Sequence, residues 1–197
     1  MLLKTVLMMA VLAPPPKYVE RDHTDMVLVV INQSKKMDMG QAETMLTAMI
    51  DSGKRWNIDP LFLLALSYSE SRWTKTAVGD NGRSTGLYQI TLSVARTVSF
   101  GGYFEDKPSE QKVLRSRKKQ KKLLMDVWVA SQTAAAYLAR LRDRYGKGAD
   151  VVYNCGPLRC GKGRKRMKST PVTRSYWRNY RKFTAALKKV KDFQPCN

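Results

Sequence analysis

The sequence has little histidine, little acid and little cysteine, and each shortage excludes something. His23 is the only histidine in 197 residues. A serine–histidine–aspartate or cysteine–histidine site would have to be built on that one residue, and a histidine-based zinc site would have a single imidazole to offer. His23 lies in the polar stretch VERDHTD and reads as a solvated loop histidine. Acid–base chemistry therefore falls to carboxylates, tyrosines or lysines. Cysteine is confined to Cys155, Cys160 and Cys196. Three thiols cannot all pair, so one is left over in any intramolecular scheme. They stay free in a reducing compartment or supply one disulfide outside it; outside the cytoplasm, Cys160 is expected to pair with Cys155 or Cys196.

Acid is scarce as well. Sixteen Asp and Glu stand against 36 Lys and Arg, a formal charge of +20, which predicts attraction to something polyanionic without saying what. Long apolar runs are missing too. The longest, MLLKTVLMMAVLA, has the length of a signal peptide and is too short to span a bilayer. The prolines of PPP follow it at once, and proline directly after the scissile position blocks cleavage. The segment reads as a cleaved export signal, an uncleaved anchor or a docking segment. MVLVVI at 26–31 is short and β-branched, and is expected to be a strand or a packed extended arm. No region alternates at period two for long, and no internal repeat is present.

What is there is helical. GQAETMLTAMIDSGKRW carries Ala42, Met45 or Leu46, Met49 and Ile50 at helical spacing. NIDPLFLLALSYSES opens with Asp59 as N-cap and Pro60 at the first helical position. Its run from Leu61 to Leu66 is apolar nearly all round, which makes the helix central. Residues 123–145 repeat a helical stripe (Leu124, Val127, Ala134, Leu138, Leu141, Tyr145) that stops at Gly146. Tyr176, Tyr180, Phe183, Leu187 and Val190 share one face of a last helix. With 43% hydrophobic residues, this is a mainly α domain: an N-terminal segment 1–40, a body 41–158 and a basic extension 159–197.

Glu70 stands at the end of the oily helix. Leu63, Leu66 and Glu70 are spaced i, i+3, i+7, so Glu70 projects from the buried face. Desolvation raises the pKa of such a carboxyl and leaves a protonated acid near neutral pH, the tool that protonates a glycosidic oxygen. The plainer reading is a glutamate turned to solvent at the polar end of a helix. GDNGRSTGLYQI then supplies three glycines that bring backbone close to a ligand, and VVYNCGP follows a long helix.

The order SESRW (69–73), GLYQ (86–89), VYNCGP (152–157) resembles the lytic transglycosylase domain of the soluble (SLT), goose-lysozyme-like type, over roughly residues 41–158. AVGDNGRSTGLYQI looks especially like its phage-borne and export-associated members. The resemblance implies a lysozyme-like α-helical fold, here with a basic insertion and a basic C-terminal helix. It makes Glu70 the sole catalytic acid/base and puts Gln89, Tyr153 and Asn154 along the sugar groove. Tyr88 stands where the family usually has methionine and is expected to tighten or re-aim the groove. Where relatives have a loop serine this chain has VGDNG, so the hydrogen bond to the substrate's acetamido group is expected from Asp80 or Asn81, or is absent. No cofactor or metal is implied. The substrate would be peptidoglycan glycan strands, cut in the periplasm or cell wall by a monomer that is exported or phage-delivered.

Residues 107–122 hold eight Lys and Arg against one Glu, and 159–191 hold thirteen with no acid. Such runs are usually solvated surface; otherwise they adhere to anionic wall polymer or membrane headgroups, or contact nucleic acid. The aromatics of RSYWRNYRKF fall on a helical stripe and are expected to pack, leaving Arg178, Arg181 and Lys182 exposed. Three functions stand: a lytic transglycosylase, a hydrolytic goose-type muramidase on the same scaffold, or a basic nucleic-acid-binding or structural protein that keeps a dead domain.

Overall fold

The computed structural model describes residues 14–34, 37–156 and 170–193. The apolar N-terminal run, Cys160 and Cys196 lie outside the described residues. Helix α1 spans His23–Gln33, α2 Met39–Trp56 and α3 Pro60–Ser71. The short helices α4 (Leu92–Thr97), α5 (Tyr103–Asp106) and α6 (Arg117–Leu123) lead to α7 (Val127–Tyr145). Helix α8 (Ala149–Cys155) and the long α9 (Pro171–Phe193) follow.

Helix α3 is the hub. The Asp59 carboxylate accepts from the Leu61 N–H at 2.9 Å, Pro60 starts the helix, and no β-branched residue interrupts PLFLLALSYSES. Every residue from Pro60 to Ser67 is buried, as the unbroken apolar run predicts. Arg72 ends the helix with φ +53, and Trp73, also left-handed at φ +62, turns its indole back to donate to the Leu64 carbonyl at 3.1 Å. That reversal leaves Glu70 on the last turn.

MVLVVI is neither a strand nor an extended arm but part of α1. Asp22 caps α1 by accepting from the Asp25 N–H, and Met26, Val27, Val29 and Val30 are buried in the shared core. Packing against α2 and α9 outweighs the modest helix penalty of β-branched residues. His23 opens this helix and is half-buried, with Nε2 3.2 Å from the Thr47 hydroxyl oxygen and 3.4 Å from the Glu43 carbonyl oxygen, so it is not a free loop histidine. The extended stretch comes earlier. The Pro16 carbonyl accepts from the Asp59 N–H at 2.9 Å, and the Tyr18 N–H donates to Asn57.

Helix α7 starts at Val127 rather than 123, because Asp126 caps it through the Val129 N–H; Leu124 is buried on the preceding turn. On α9, Tyr176, Phe183 and Leu187 are buried and Arg178, Arg181 and Lys182 exposed, as the stripe predicts. Trp177, off the expected stripe, is also buried, with its ring centroid 5.2 Å from that of Phe62. Helices α1 and α9 thus join the same core as the 41–158 body. Strands β1 (Val78–Gly79), β2 (Ser84–Thr85) and β3 (Ile90–Thr91) form a small antiparallel sheet, pairing Gly79 with Ser84 and Thr85 with Ile90. No helix among the described residues is long and apolar enough to cross a membrane.

Candidate active site

The last turn of α3 is pinned on two sides. Asn179 of α9 donates to the Ser69 hydroxyl at 2.8 Å, and the Ser71 hydroxyl donates to the Leu87 carbonyl at 2.7 Å. Between them Glu70 is largely buried, and the Tyr176 hydroxyl donates to its Oε1. Burial raises the Glu70 carboxyl to about 7; the Tyr176 hydrogen bond pulls it down, and the nearby charge of Asp80 pushes it up. Burial and the Glu70 charge hold Tyr176 well above its ordinary value, so it remains a proton donor in a hydrogen bond.

Helix α8 supplies the facing wall. Tyr153 is close enough to Glu70 that the carboxylate charge adds to burial in holding the Tyr153 phenol pKa well above its ordinary value, and its hydroxyl donates to the Tyr88 carbonyl at 3.2 Å. Asn154 hydrogen-bonds the Tyr176 hydroxyl, accepts from the Thr170 hydroxyl at 3.2 Å, and is otherwise exposed. Cys155, next in line, is disulfide-bonded. Glu70, Tyr153 and Asn154 therefore come together as the motif order implied.

Gln89 and Tyr88 do not join them through their side chains. Gln89 has φ +48, and its amide accepts from Ser84 Oγ at 2.8 Å while donating to the carbonyls of Ala77 and Gly86. With donors and acceptor engaged inside the protein, it staples the sheet turn. Tyr88 is fully buried, its hydroxyl 3.3 Å from Ser131 Oγ, so its ring neither tightens nor re-aims a groove. Both follow from how tightly GLYQ is folded: Gly86 has φ +80, and a Cβ there would meet the Leu124 carbonyl oxygen at 2.2 Å. Asn81 is exposed and left-handed (φ +54) in the Asp80–Gly82 turn, whose Gly82 carbonyl accepts from Lys121 Nζ at 2.5 Å.

Two groups at the site leave no mark in the sequence pattern. Tyr176 reads as core on its helical stripe, and no spacing discloses that its hydroxyl meets a residue 106 positions earlier. Asp150 is buried and accepts from Trp177 Nε1 at 2.9 Å, docking α8 onto α9; burial raises its carboxyl to about 6. An aspartate beside two valines carries no signal of that kind. Among the described residues no group of three or more His, Cys, Asp or Glu is placed to hold a metal ion.

A family model for the transglycosylase SLT domain matches residues 47–174. No curated protein and no solved structure matches the chain. The matched span holds Glu70, the turn that braces it and the facing Tyr153–Asn154 wall, within a mainly α fold. On this evidence the chain belongs to the transglycosylase SLT domain family, whose domains act on cell-wall peptidoglycan.

Proposed function

We propose that the protein is a lytic transglycosylase that cleaves the β-1,4 bond between MurNAc and GlcNAc and leaves a 1,6-anhydro-MurNAc end. One observation carries this reading: a largely buried carboxyl, Glu70, poised at about 7 and hydrogen-bonded to a tyrosine instead of a second carboxylate. Two-carboxylate hydrolysis would need a partner acid placed across the scissile bond. Asp80 comes near enough to repel the Glu70 charge, yet it sits in an exposed turn with φ +50.

The chemistry needs one group in two states. Protonated Glu70 gives its proton to the bridging oxygen as the bond from the MurNAc anomeric carbon breaks. The substrate's acetamido oxygen shields the developing cation. The carboxylate then takes the proton of the 6-hydroxyl as that oxygen bonds to the anomeric carbon. No water is consumed and Glu70 ends protonated. A carboxyl titrating near neutrality serves both steps. Tyr176 orients it, and the exposed Asn154 and Asn81 are the groups we assign to the glycan. Action is at the wall or periplasm, reached by export or phage delivery.

Two results are expected. Asp80→Asn should leave the rate on purified peptidoglycan within about an order of magnitude, since a left-handed turn aspartate is a structural choice. A dead Asp80→Asn would promote the hydrolytic muramidase instead. Tyr176→Phe should slow turnover about tenfold, the scale of one hydrogen bond to a charged group. It also removes the bond that lowers the Glu70 pKa. The reaction needs the protonated acid, so the wild-type rate should fall as pH rises through about 7, and Tyr176→Phe should move that descending limb to higher pH. A rate–pH profile checks the sign; an unmoved or lowered limb would separate Tyr176 from the acid.

A further inference from the structure

The cations of residues 107–122 are not a loose fringe. Ser116 caps α6, and Gln120 is fully buried within it. Gln120 Oε1 accepts from Arg96 Nε and Nη2 at 3.0 and 2.9 Å, and its Nε2 donates to the Leu114 carbonyl at 2.5 Å. That buried amide fixes α6 against α4. Lys121 turns toward the active site and holds the Gly82 carbonyl, in the turn that carries Asp80.

Lys119 and Lys122, three residues apart on α6, face another way. Together with Lys107 they line a cleft of about 720 Å³ whose apolar lining includes Val113, Leu123 and Trp128. Trp128 is 37% exposed. Lys107 lies 5.2 Å over the Tyr103 ring and 4.0 Å from Glu110, while among the described residues no carboxylate pairs with Lys119 or Lys122. Asp126 also lines the cleft, with one carboxylate oxygen engaged by the Val129 N–H.

This cleft has the size of a site for a small molecule or short peptide. Its chemistry asks for carboxylates on the lysines and small apolar side chains against Val113, Leu123 and the indole face. A nucleic-acid track would present successive aromatic platforms along a basic groove; here a single indole is exposed. Resting on the peptidoglycan reading above, we infer that the cleft binds the peptide stem of the glycan strand, a short chain of small residues with free carboxylates. Through the Lys121–Gly82 contact it is coupled to the turn beside Glu70, so an occupied cleft registers the strand for cleavage.

The test uses the full chain, glycan strands with their stems, and the same strands stripped of stems by an amidase. Wild type should show a KM about tenfold lower on stem-bearing strands, the scale of two or three partly exposed ion pairs. Lys107→Gln/Lys119→Gln/Lys122→Gln should erase that advantage at unchanged kcat, leave stripped strands unaffected, and melt at the wild-type temperature. Trp128→Ala should act in the same direction. Raising salt should shrink the wild-type advantage. No preference in wild type, or an equal rise of KM on both substrates in the triple variant, overturns the proposal while leaving the transglycosylase reading intact. Calorimetry with a free stem tetrapeptide reads the site without catalysis: binding lost in the triple variant supports the subsite, and no binding to wild type overturns it. An oligonucleotide that displaces the tetrapeptide and binds more tightly also overturns it.

Discussion

Replacing Glu70 with glutamine is expected to abolish cleavage while sparing binding to glycan strands. The amide keeps the shape and still accepts from Tyr176, but it has no proton to give. General acid–base catalysis by a positioned side chain is worth about 10² to 10⁴-fold. One group serves both steps here, so the loss should lie at the top of that range or beyond. The same substitution should stabilise the fold in a definite pH window. The Glu70 pKa is raised from 4.5 to about 7 by burial, so the folded state prefers the protonated form. That preference contributes fully below about 4.5 and is lost as pH rises through about 7. Above pH 7 the wild type carries a buried charge that Glu70→Gln does not, and thermal melts should show the variant more stable there. An active Glu70→Gln would remove the proposed chemistry altogether.

The largest expected effect on stability belongs to Asp59, at the other end of the same helix. Its carboxylate is fully buried, caps α3 through the Leu61 N–H, pairs with Arg21 at 2.5 Å and accepts from the Tyr180 hydroxyl at 2.8 Å. One side chain thus joins the extended N-terminal stretch, the central helix and α9. Breaking a buried pair by removing one partner costs about 3–5 kcal/mol; Arg21 remains 20% exposed and can reach water, which favours the low end. Loss of the cap adds about 1 kcal/mol. Asp59→Ala should therefore lose about 4 kcal/mol in urea unfolding, a large part of the margin of an ordinary domain. Arg21→Gln should lose less, since Tyr180 and the Leu61 N–H still satisfy the carboxylate. A loss under 1 kcal/mol for Asp59→Ala would mean that the three segments are held together by apolar packing alone.

Much of this architecture is legible in the sequence because local and global signals agree. Asp59-Pro60 followed by an unbroken apolar run marks a buried helix, and the spacing of Leu63, Leu66 and Glu70 puts a carboxyl on its inner face. The failures are places where tertiary contacts decide. Val27, Val29 and Val30 read as a strand or an extended arm until α2 and α9 supply a surface for a helix. Tyr88 and Gln89, in a motif that resembles a groove wall, are consumed by the turn, which a list of residue types cannot disclose. Tyr176 was legible as buried and illegible as the partner of Glu70: periodicity gives the face of a helix, and the reach of one hydroxyl to another helix is a matter of packing. The basic run of 107–122 looked like solvated surface, and the one residue that makes it a fixed platform, Gln120, is uncharged.

The most direct test of the central claim, that one largely buried carboxyl cleaves the strand without water, is digestion of purified peptidoglycan in ¹⁸O-labelled water followed by mass analysis of the released ends. The account predicts 1,6-anhydro-MurNAc ends that carry no label and are lighter than reducing ends by one water. Reducing MurNAc ends carrying ¹⁸O would contradict it.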